Sequence, residues 1–255
     1  MSSRPTKTTP PGEATGGRAP APPPVVLRGA DVACRVQHWS FQPHTAQLVL
    51  YHQQRLPSLA DFQRWSERLL ELGYSRVRTT ALGTAAGLRA ESAGFRSIQE
   101  LVLLEHTDPR TPGGRRGHAV TTHRLLAADH AAASAADVAA FGAQWALEPR
   151  AVADVCAATP KHRARATGSP LAGYAITGRD AKQGFLQRLA VVPEHQRLGL
   201  GRALVLDSLQ WLGRWRVQRV LVNTPVDNYG ALALYERLGF RRLGERLRVY
   251  EQVLS

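Results

Sequence analysis

An apolar run, a loop with two glycines and an amphipathic helix follow one another directly over residues 189–202. Gly199 and Gly201 let the backbone of the loop come close to a ligand, because neither carries a side chain. The helix that starts near Arg202 directs unpaired N–H groups back into the loop, where they can hold a pyrophosphate. The segment predicts a strand, a phosphate loop and a helix, although a bare Gly-x-Gly also fits an ordinary strand-to-helix turn.

Apolar periodicity predicts alternating strands and helices on both sides of this loop. The predicted strands cover residues 122–128, 163–166, 171–177, 185–192, 217–222 and 240–253, and the predicted helices cover residues 132–145, 148–157, 204–215 and 229–238. The helix at 204–215 carries an apolar stripe of Val205, Leu209 and Leu212. This order predicts an α/β fold with a mixed sheet and a helix inserted after the fourth strand.

The preceding part of the chain shows a similar alternation. Ser58, with Asp61 three residues later, has the spacing of a helix start, and Gly73 marks its end. The apolar face of this helix is predicted to consist of Leu59, Phe62, Trp65 and Leu69. A shorter helix is predicted at 88–93, and strands are predicted at 25–27, 46–51, 76–81 and 98–104.

Two breaks divide the chain. Residues 1–24 contain seven of the sixteen prolines and almost no large apolar residue, so we expect a disordered tail. Residues 109–118 are rich in Pro, Gly and Arg and are interpreted as a linker. The folded segments are therefore predicted at 25–108 and 119–255.

Composition excludes some classes of protein. The net charge of +13 is spread evenly, +6 over residues 1–122 and +7 over residues 123–255, without a block of five like charges, which argues against a nucleic-acid-binding patch. No apolar run is long enough to cross a membrane, and we expect no membrane partner. Cys34 and Cys156 form neither a disulfide framework nor a metal site. These features are interpreted as those of a reduced, cytoplasmic protein without a metal.

A weak internal repeat relates the two segments. A Gly-Phe-Arg triplet occurs at residues 94–96 and again at residues 239–241, each time after a predicted strand and helix. Because the order of elements matches as well as the triplet, we interpret the chain as a duplication.

Two sequence blocks resemble one known family. The first is Gln196-Arg197-Leu198-Gly199-Leu200-Gly201, and the second, residues 228–240, fits Asn-x-x-Ala-x-x-Leu-Tyr-x-x-x-Gly-Phe. In this order, with a helix and a strand between them, the blocks resemble the signatures of the GNAT superfamily of acyl-CoA-dependent N-acyltransferases. The resemblance covers about residues 120–255, and it implies a GNAT-like acetyltransferase fold with acetyl-CoA as co-substrate.

The resemblance also implies roles for individual residues. The backbone of residues 189–191 would pair with the pantetheine arm, the N–H groups of residues 197–202 would hold the pyrophosphate, and Asn228 would contact the cofactor near its thiol. Tyr235 would protonate the leaving thiolate, a role that suits a phenol with a pKa near ~10. The full set of expected cofactor-binding residues is Leu189, Ala190, Val191, Gln196, Arg197, Leu198, Gly199, Leu200, Gly201, Arg202 and Asn228.

The sequence departs from the family at the proton acceptor. Many members carry a Glu on the fourth or fifth strand, where this chain has Gln187 and Asn223, and neither of these can act as a base. The remaining candidates are Glu148, Asp180, Glu245 or a chain of water molecules. His195 in the loop is expected to be solvated.

The first segment is interpreted as a degenerate copy. Alignment of the two triplets places Ala90 opposite Tyr235 and Gly83 opposite Asn228. The loop of the first segment at 52–57 lacks glycine. We therefore expect cofactor only in residues 119–255. The sequence predicts an N-acetyltransferase that acts on an amine of a protein N-terminus, a lysine or a small molecule. The alternatives are a non-catalytic acetyl-CoA-binding regulator and a basic nucleic-acid-binding protein.

Overall fold

The computed structural model describes residues 24–30, 32–50, 55–110 and 120–255. The predicted tail, apart from Pro24, and most of the predicted linker lie outside these residues, as does much of the loop at 52–57. Among the described residues, no helix is long and apolar enough to cross a bilayer.

The N-terminal half contains five strands and two helices. These are β1 (Val25–Arg28), β2 (Ala33–Trp39), β3 (Gln42–Leu50), α1 (Leu59–Glu71), β4 (Arg76–Thr79), α2 (Thr84–Ser92) and β5 (Arg96–His106). The predicted helix start is confirmed: the Ser58 hydroxyl accepts a bond from the Asp61 amide, and the Asp61 carboxylate accepts one from the Ser58 amide. Strand β2 was not predicted from sequence, because polar residues interrupt its apolar ones.

The C-terminal half contains six strands and four helices. They are β6 (His123–Arg124), α3 (His130–Phe141), α4 (Pro149–Ala157), β7 (Lys161–Thr167), β8 (Gly173–Arg179), β9 (Gln183–Val191), α5 (Leu200–Arg214), β10 (Arg219–Pro225), α6 (Tyr229–Arg237) and β11 (Arg241–Val253). The predicted strand at 122–128 was too long. Its second part turns into a 3₁₀ helix at Ala127–Asp129, where the Asp129 carboxylate accepts a bond from the Leu126 amide at 2.8 Å.

The eleven strands of the described residues form one mixed sheet in the order β1-β2-β3-β4-β11-β5-β10-β9-β8-β7-β6. The predicted α/β fold is confirmed. The two halves exchange their last strands: β11 pairs with β4 of the first half, and β5 pairs with β10 of the second. Strands β5 and β11 pair with each other at the centre. The hydrogen bonds of the sheet therefore cross between the two predicted segments.

The two halves repeat one arrangement, which confirms the duplication. In the first half, β3 lies parallel to β4, and α1 connects them; in the second half, β9 lies parallel to β10, and α5 connects them. Gly94 and Gly239 each lie two residues before an exchanged strand, with φ of 91° and 95°, a left-handed conformation that favours glycine.

Separate apolar clusters stabilise the two halves. Phe62, Trp65 and Leu69 of α1 are buried as predicted, whereas Leu59 is exposed and does not belong to that face. The apolar stripe of α5 is completely buried in the apolar cluster of the second half, as predicted. It consists of Val205, Leu209 and Leu212. A third cluster fills the space under α3 and α4.

Candidate functional site

Strands β9 and β10 separate part-way along their length. They pair only from Arg219 with Gln183 to Leu221 with Phe185. Beyond this point β10 remains paired with β5 as far as Pro225. The rest of β9 therefore has an unpaired edge on the side of β10, and a cleft of about 910 Å³ opens beside it.

The glycine loop forms the open end of this cleft. After a 3₁₀ turn at Pro193–His195, Arg197 and Gly199 both have positive φ values, 65° and 87°, and Gly199 is the N-cap of α5. The Gln196 amide group donates to the Val191 carbonyl at 3.1 Å, which ties the loop to the end of β9. The first N–H groups of α5 therefore face the cleft without partners from their own helix.

Gly201 keeps the cleft open at the start of α5. A Cβ at this position would lie 3.3 Å from Leu234 Cδ2 of α6 and 3.8 Å from Val191 Cγ2 of β9. A larger side chain would fill the space where the three elements meet. The arrangement fits a phosphate group, because it combines unpaired N–H groups, a position without a side chain and the nearby cations Arg197, Arg202 and Arg237.

The structure brings together most of the expected cofactor-binding residues. Those that line the cleft are Leu189, Val191, Gln196, Arg197, Gly199, Gly201, Arg202 and Asn228. Three others do not line it: Ala190 is buried on the opposite face of the sheet, Leu198 is 63% exposed, and Leu200 begins α5. His195 is exposed, as expected.

Asn228 is the N-cap of α6 and lines the cleft, whereas Tyr235 lies within α6, is buried in the apolar cluster of the second half and is not among the residues that line the cleft. The Asn228 side chain caps α6 by accepting a bond from the Ala231 amide at 3.1 Å. Tyr235 is 4% exposed, and its ring lies 5.6 Å from that of Phe240. Burial raises the pKa of Tyr235 above its usual value, while the nearby charge of Arg188 acts in the opposite direction. The phenol therefore stays protonated at neutral pH.

A buried ion pair that the sequence analysis missed lies behind the cleft. The side chain of Asp137 in α3 is fully buried and accepts bonds from the Arg188 guanidinium, the Tyr174 hydroxyl at 2.7 Å and the Leu147 amide at 2.7 Å. Asp137 is the only charged residue between His130 and Phe141, within an alanine-rich helix. A lone carboxylate in such a helix could have marked it as structurally important.

The carboxylates predicted as possible bases lie apart from one another. Glu148 contacts the His38 ring, Asp180 accepts bonds from the Lys182 and Gln183 amides at the opposite end of β9 from the loop, and Glu245 approaches Gly83 in the first half. Among the described residues that line the cleft there is no Asp or Glu. The cleft therefore does not supply its own carboxylate base.

Comparison with known proteins assigns this region to a family. Residues 134–240 match the profile of the Acetyltransferase (GNAT) family. Residues 134–240 of the chain therefore form a GNAT domain. The whole chain resembles a tandem GNAT protein from the clavulanic acid biosynthesis pathway, with a TM-score of 0.63 and 17% identity over 90% of this chain and 82% of that one. A GCN5-related N-acetyltransferase from Kribbella flavida gives a TM-score of 0.61 with 13% identity, and 89% of each chain is covered. These likenesses show a tandem GNAT fold.

Curated relatives match over shorter stretches of the chain. N-acetyltransferase family 8 member 3 of Rattus norvegicus is 42% identical over 64 residues, which are 25% of this chain and 28% of the relative. The [Ribosomal protein bS18]-alanine N-acetyltransferase of Escherichia coli K12 is 36% identical over 80 residues, which are 31% of this chain and 54% of the relative. The chain thus spans about half or less of each of these relatives.

Proposed function

We propose that this GNAT protein is an N-acetyltransferase that transfers the acetyl group of acetyl-CoA to an amine in the cleft beside β9. The observation that carries the proposal is the separation of β9 from β10 along the stretch of β9 that leads to the glycine loop. An open strand edge that leads to a phosphate-binding helix N-terminus suits a long, amide-containing arm with a pyrophosphate at one end.

Each wall of the cleft has a part in binding. The N–H groups from Arg197 to Arg202 would hold the pyrophosphate, and the backbone of Leu189 to Val191 would bond to the amides of the pantetheine arm. Asn228 holds the first turn of α6 in place against the cleft. Because the sequence of the corresponding loop in the first half, residues 52–57, contains no glycine, we expect one acetyl-CoA per chain.

The reaction is direct attack by the amine on the thioester carbonyl. The new C–N bond forms, the C–S bond breaks, the thiolate takes the phenol proton of Tyr235, and the amine gives up its proton to solvent. Burial keeps Tyr235 protonated at neutral pH, so it remains a donor. Proton transfer by such a group contributes about 10²–10⁴ in rate.

The cleft favours an amine that loses its proton easily. It contains no Asp or Glu among its described lining residues, so a nucleophile must arrive largely neutral. An α-amine has a pKa of about 8, whereas a lysine amine has a pKa of about 10.4, so far more of the α-amine is neutral near pH 7.5. We therefore favour a protein or peptide N-terminus as the acceptor, in the cytoplasm. The similarity to an enzyme named for an alanine of a ribosomal protein supports this choice.

Two measurements test the proposal. Calorimetry with acetyl-CoA should give one site per chain with a Kd in the micromolar range. A screen of amine-bearing peptides and small amines, followed by thiol release, should then find turnover that Tyr235→Phe reduces strongly. Binding without turnover on any acceptor would favour the regulatory alternative, and absence of binding would overturn the assignment of the cleft.

A further inference from the structure

The cleft has an open end and a closed end. The glycine loop at 196–202 forms the open end, and β9 and β10 come together at Phe185 and Leu221 beyond the closed end. Along β9, Leu189 is the lining residue nearest to that junction. With the pyrophosphate at the loop, the acyl group of a bound acyl-CoA points towards the closed end.

Phe141 lies at this closed end. It is the last residue of α3 and lines the cleft. One face of its ring is covered by the guanidinium of Arg188, whose Cζ lies 4.1 Å from the ring centroid. Arg188 directly precedes Leu189 on β9. The Phe141 ring therefore lies beside the part of β9 that is nearest to its junction with β10.

The position of Phe141 is fixed by a chain of contacts. Arg188 is held by buried Asp137, and it also donates to the Trp145 carbonyl at 2.9 Å. Trp145 in turn packs edge-on against Trp39 of β2, with 5.6 Å between the ring centroids, and Arg78 of β4 lies over both rings. The first half of the molecule thus braces the loop that follows Phe141.

We infer that Phe141 is the residue that limits the length of the acyl group. The inference rests on the proposed function, because it assumes an acyl-CoA in this cleft. A two-carbon acyl group fits in front of the ring, and a longer chain must displace a side chain that Arg188 holds from behind. Tightly packed walls of this kind resist added methylene groups.

Calorimetry with acetyl-CoA, butyryl-CoA and hexanoyl-CoA tests the inference without any acceptor. Wild type should bind acetyl-CoA at least about tenfold more tightly than hexanoyl-CoA. Phe141→Ala should bring the two affinities within about threefold, and Phe141→Leu should give an intermediate ratio with butyryl-CoA. Thermal melting checks that both variants are folded.

Leu234→Ala is the matched control. Leu234 also lines the cleft, but it lies next to Gly201 at the open end. Its truncation should change the affinities for all three acyl-CoA thioesters by the same factor, so that their ratio stays constant.

Three results would overturn the inference. They are equal affinities for acetyl-CoA and hexanoyl-CoA in wild type, an unchanged ratio in a folded Phe141→Ala variant, and loss of all acyl-CoA binding in that variant. If wild type binds none of the three thioesters, the proposed function itself fails.

Discussion

Ala90 and Tyr235 occupy the same position in the two halves of the molecule. The carbonyl oxygen of each accepts a 3.0 Å hydrogen bond from the amide of a phenylalanine five residues later, Phe95 after Ala90 and Phe240 after Tyr235. The helices that carry them, α2 and α6, have nine residues each. The first half thus has a methyl group where the second has a phenol, which leaves it without a proton donor at that place.

This relationship leads to a prediction for Tyr235. Tyr235→Phe keeps the ring against Phe240 and removes only the hydroxyl, so kcat should fall by about 10²–10⁴ while the Kd for acetyl-CoA stays within about twofold. Steady-state kinetics on an acceptor found by screening, together with calorimetry, provide both values. Tyr229→Phe on the same helix is the control, because Tyr229 is 76% exposed. A Tyr235→Phe variant with nearly full kcat would remove Tyr235 from the mechanism.

Gly201 provides a second prediction. Gly201→Val should place two methyl groups against Leu234 and Val191 and obstruct the cleft, so that acetyl-CoA binds at least about thirtyfold more weakly. Calorimetry measures the loss, and thermal melting shows whether the fold survives. Gly244→Val is the matched control, because a Cβ at Gly244 would meet nothing within 4 Å. Equal affinities in the two folded variants would contradict the placement of the cofactor.

Much of this architecture could be predicted from local sequence. The apolar stripe of Val205, Leu209 and Leu212 and the helix start at Ser58 depend on residues a few positions apart, and both are present in the structure. The alignment of Ala90 with Tyr235 rested on one triplet and is matched by identical hydrogen bonding. Features that depend on residues close together in the sequence are therefore predicted correctly in this chain.

The exchange of β5 and β11 could not be predicted in the same way. The apolar periodicity of a strand indicates which of its faces is buried but not which strand lies beside it, so the periodicity of β5 and β11 does not specify a partner. The pair of Asp137 and Arg188 was missed for a related reason. These residues are 51 positions apart, and only the packing of α3 on β9 brings them together.

Asp61 provides a prediction for stability against pH. Burial by itself would raise the pKa of Asp61, but hydrogen bonds from Ser58, Ala30 and Arg64 outweigh it and lower the pKa to about 2. A carboxylate with a lowered pKa stabilises the fold above its ordinary value near 3.8, and this contribution is lost as the pH falls through 2.

Asp61→Asn should therefore destabilise the protein by about 1–2 kcal/mol at pH 7, through loss of the helix cap and of the charge. The difference from wild type should shrink as the pH approaches 2. Urea unfolding at pH 7, 4 and 2.5 measures it. Glu67→Gln serves as a control for the removal of a carboxylate elsewhere on α1. A difference between wild type and Asp61→Asn that stays constant with pH would contradict the assigned pKa.

The exchanged strands predict how the two halves behave when they are separated. A fragment of residues 120–255 lacks β5, so β10 keeps β9 as its one neighbour, and β11 has no strand on either side. A fragment of residues 24–110 lacks β11, so β4 and β5 are no longer joined. Each fragment would expose unpaired strand edges and the apolar residues that these strands cover.

We therefore expect each fragment alone to be insoluble or to melt without a cooperative transition, and the two co-expressed fragments to purify together as a folded complex. Affinity purification through a tag on one fragment, followed by thermal melting, checks this. In the complex, acetyl-CoA should bind with an affinity close to that of the intact chain, because the cleft itself is formed within the second half. A fragment of residues 120–255 that melts cooperatively at the temperature of the full chain would show that β5 is not required to complete the sheet, and the exchange would then have no energetic role.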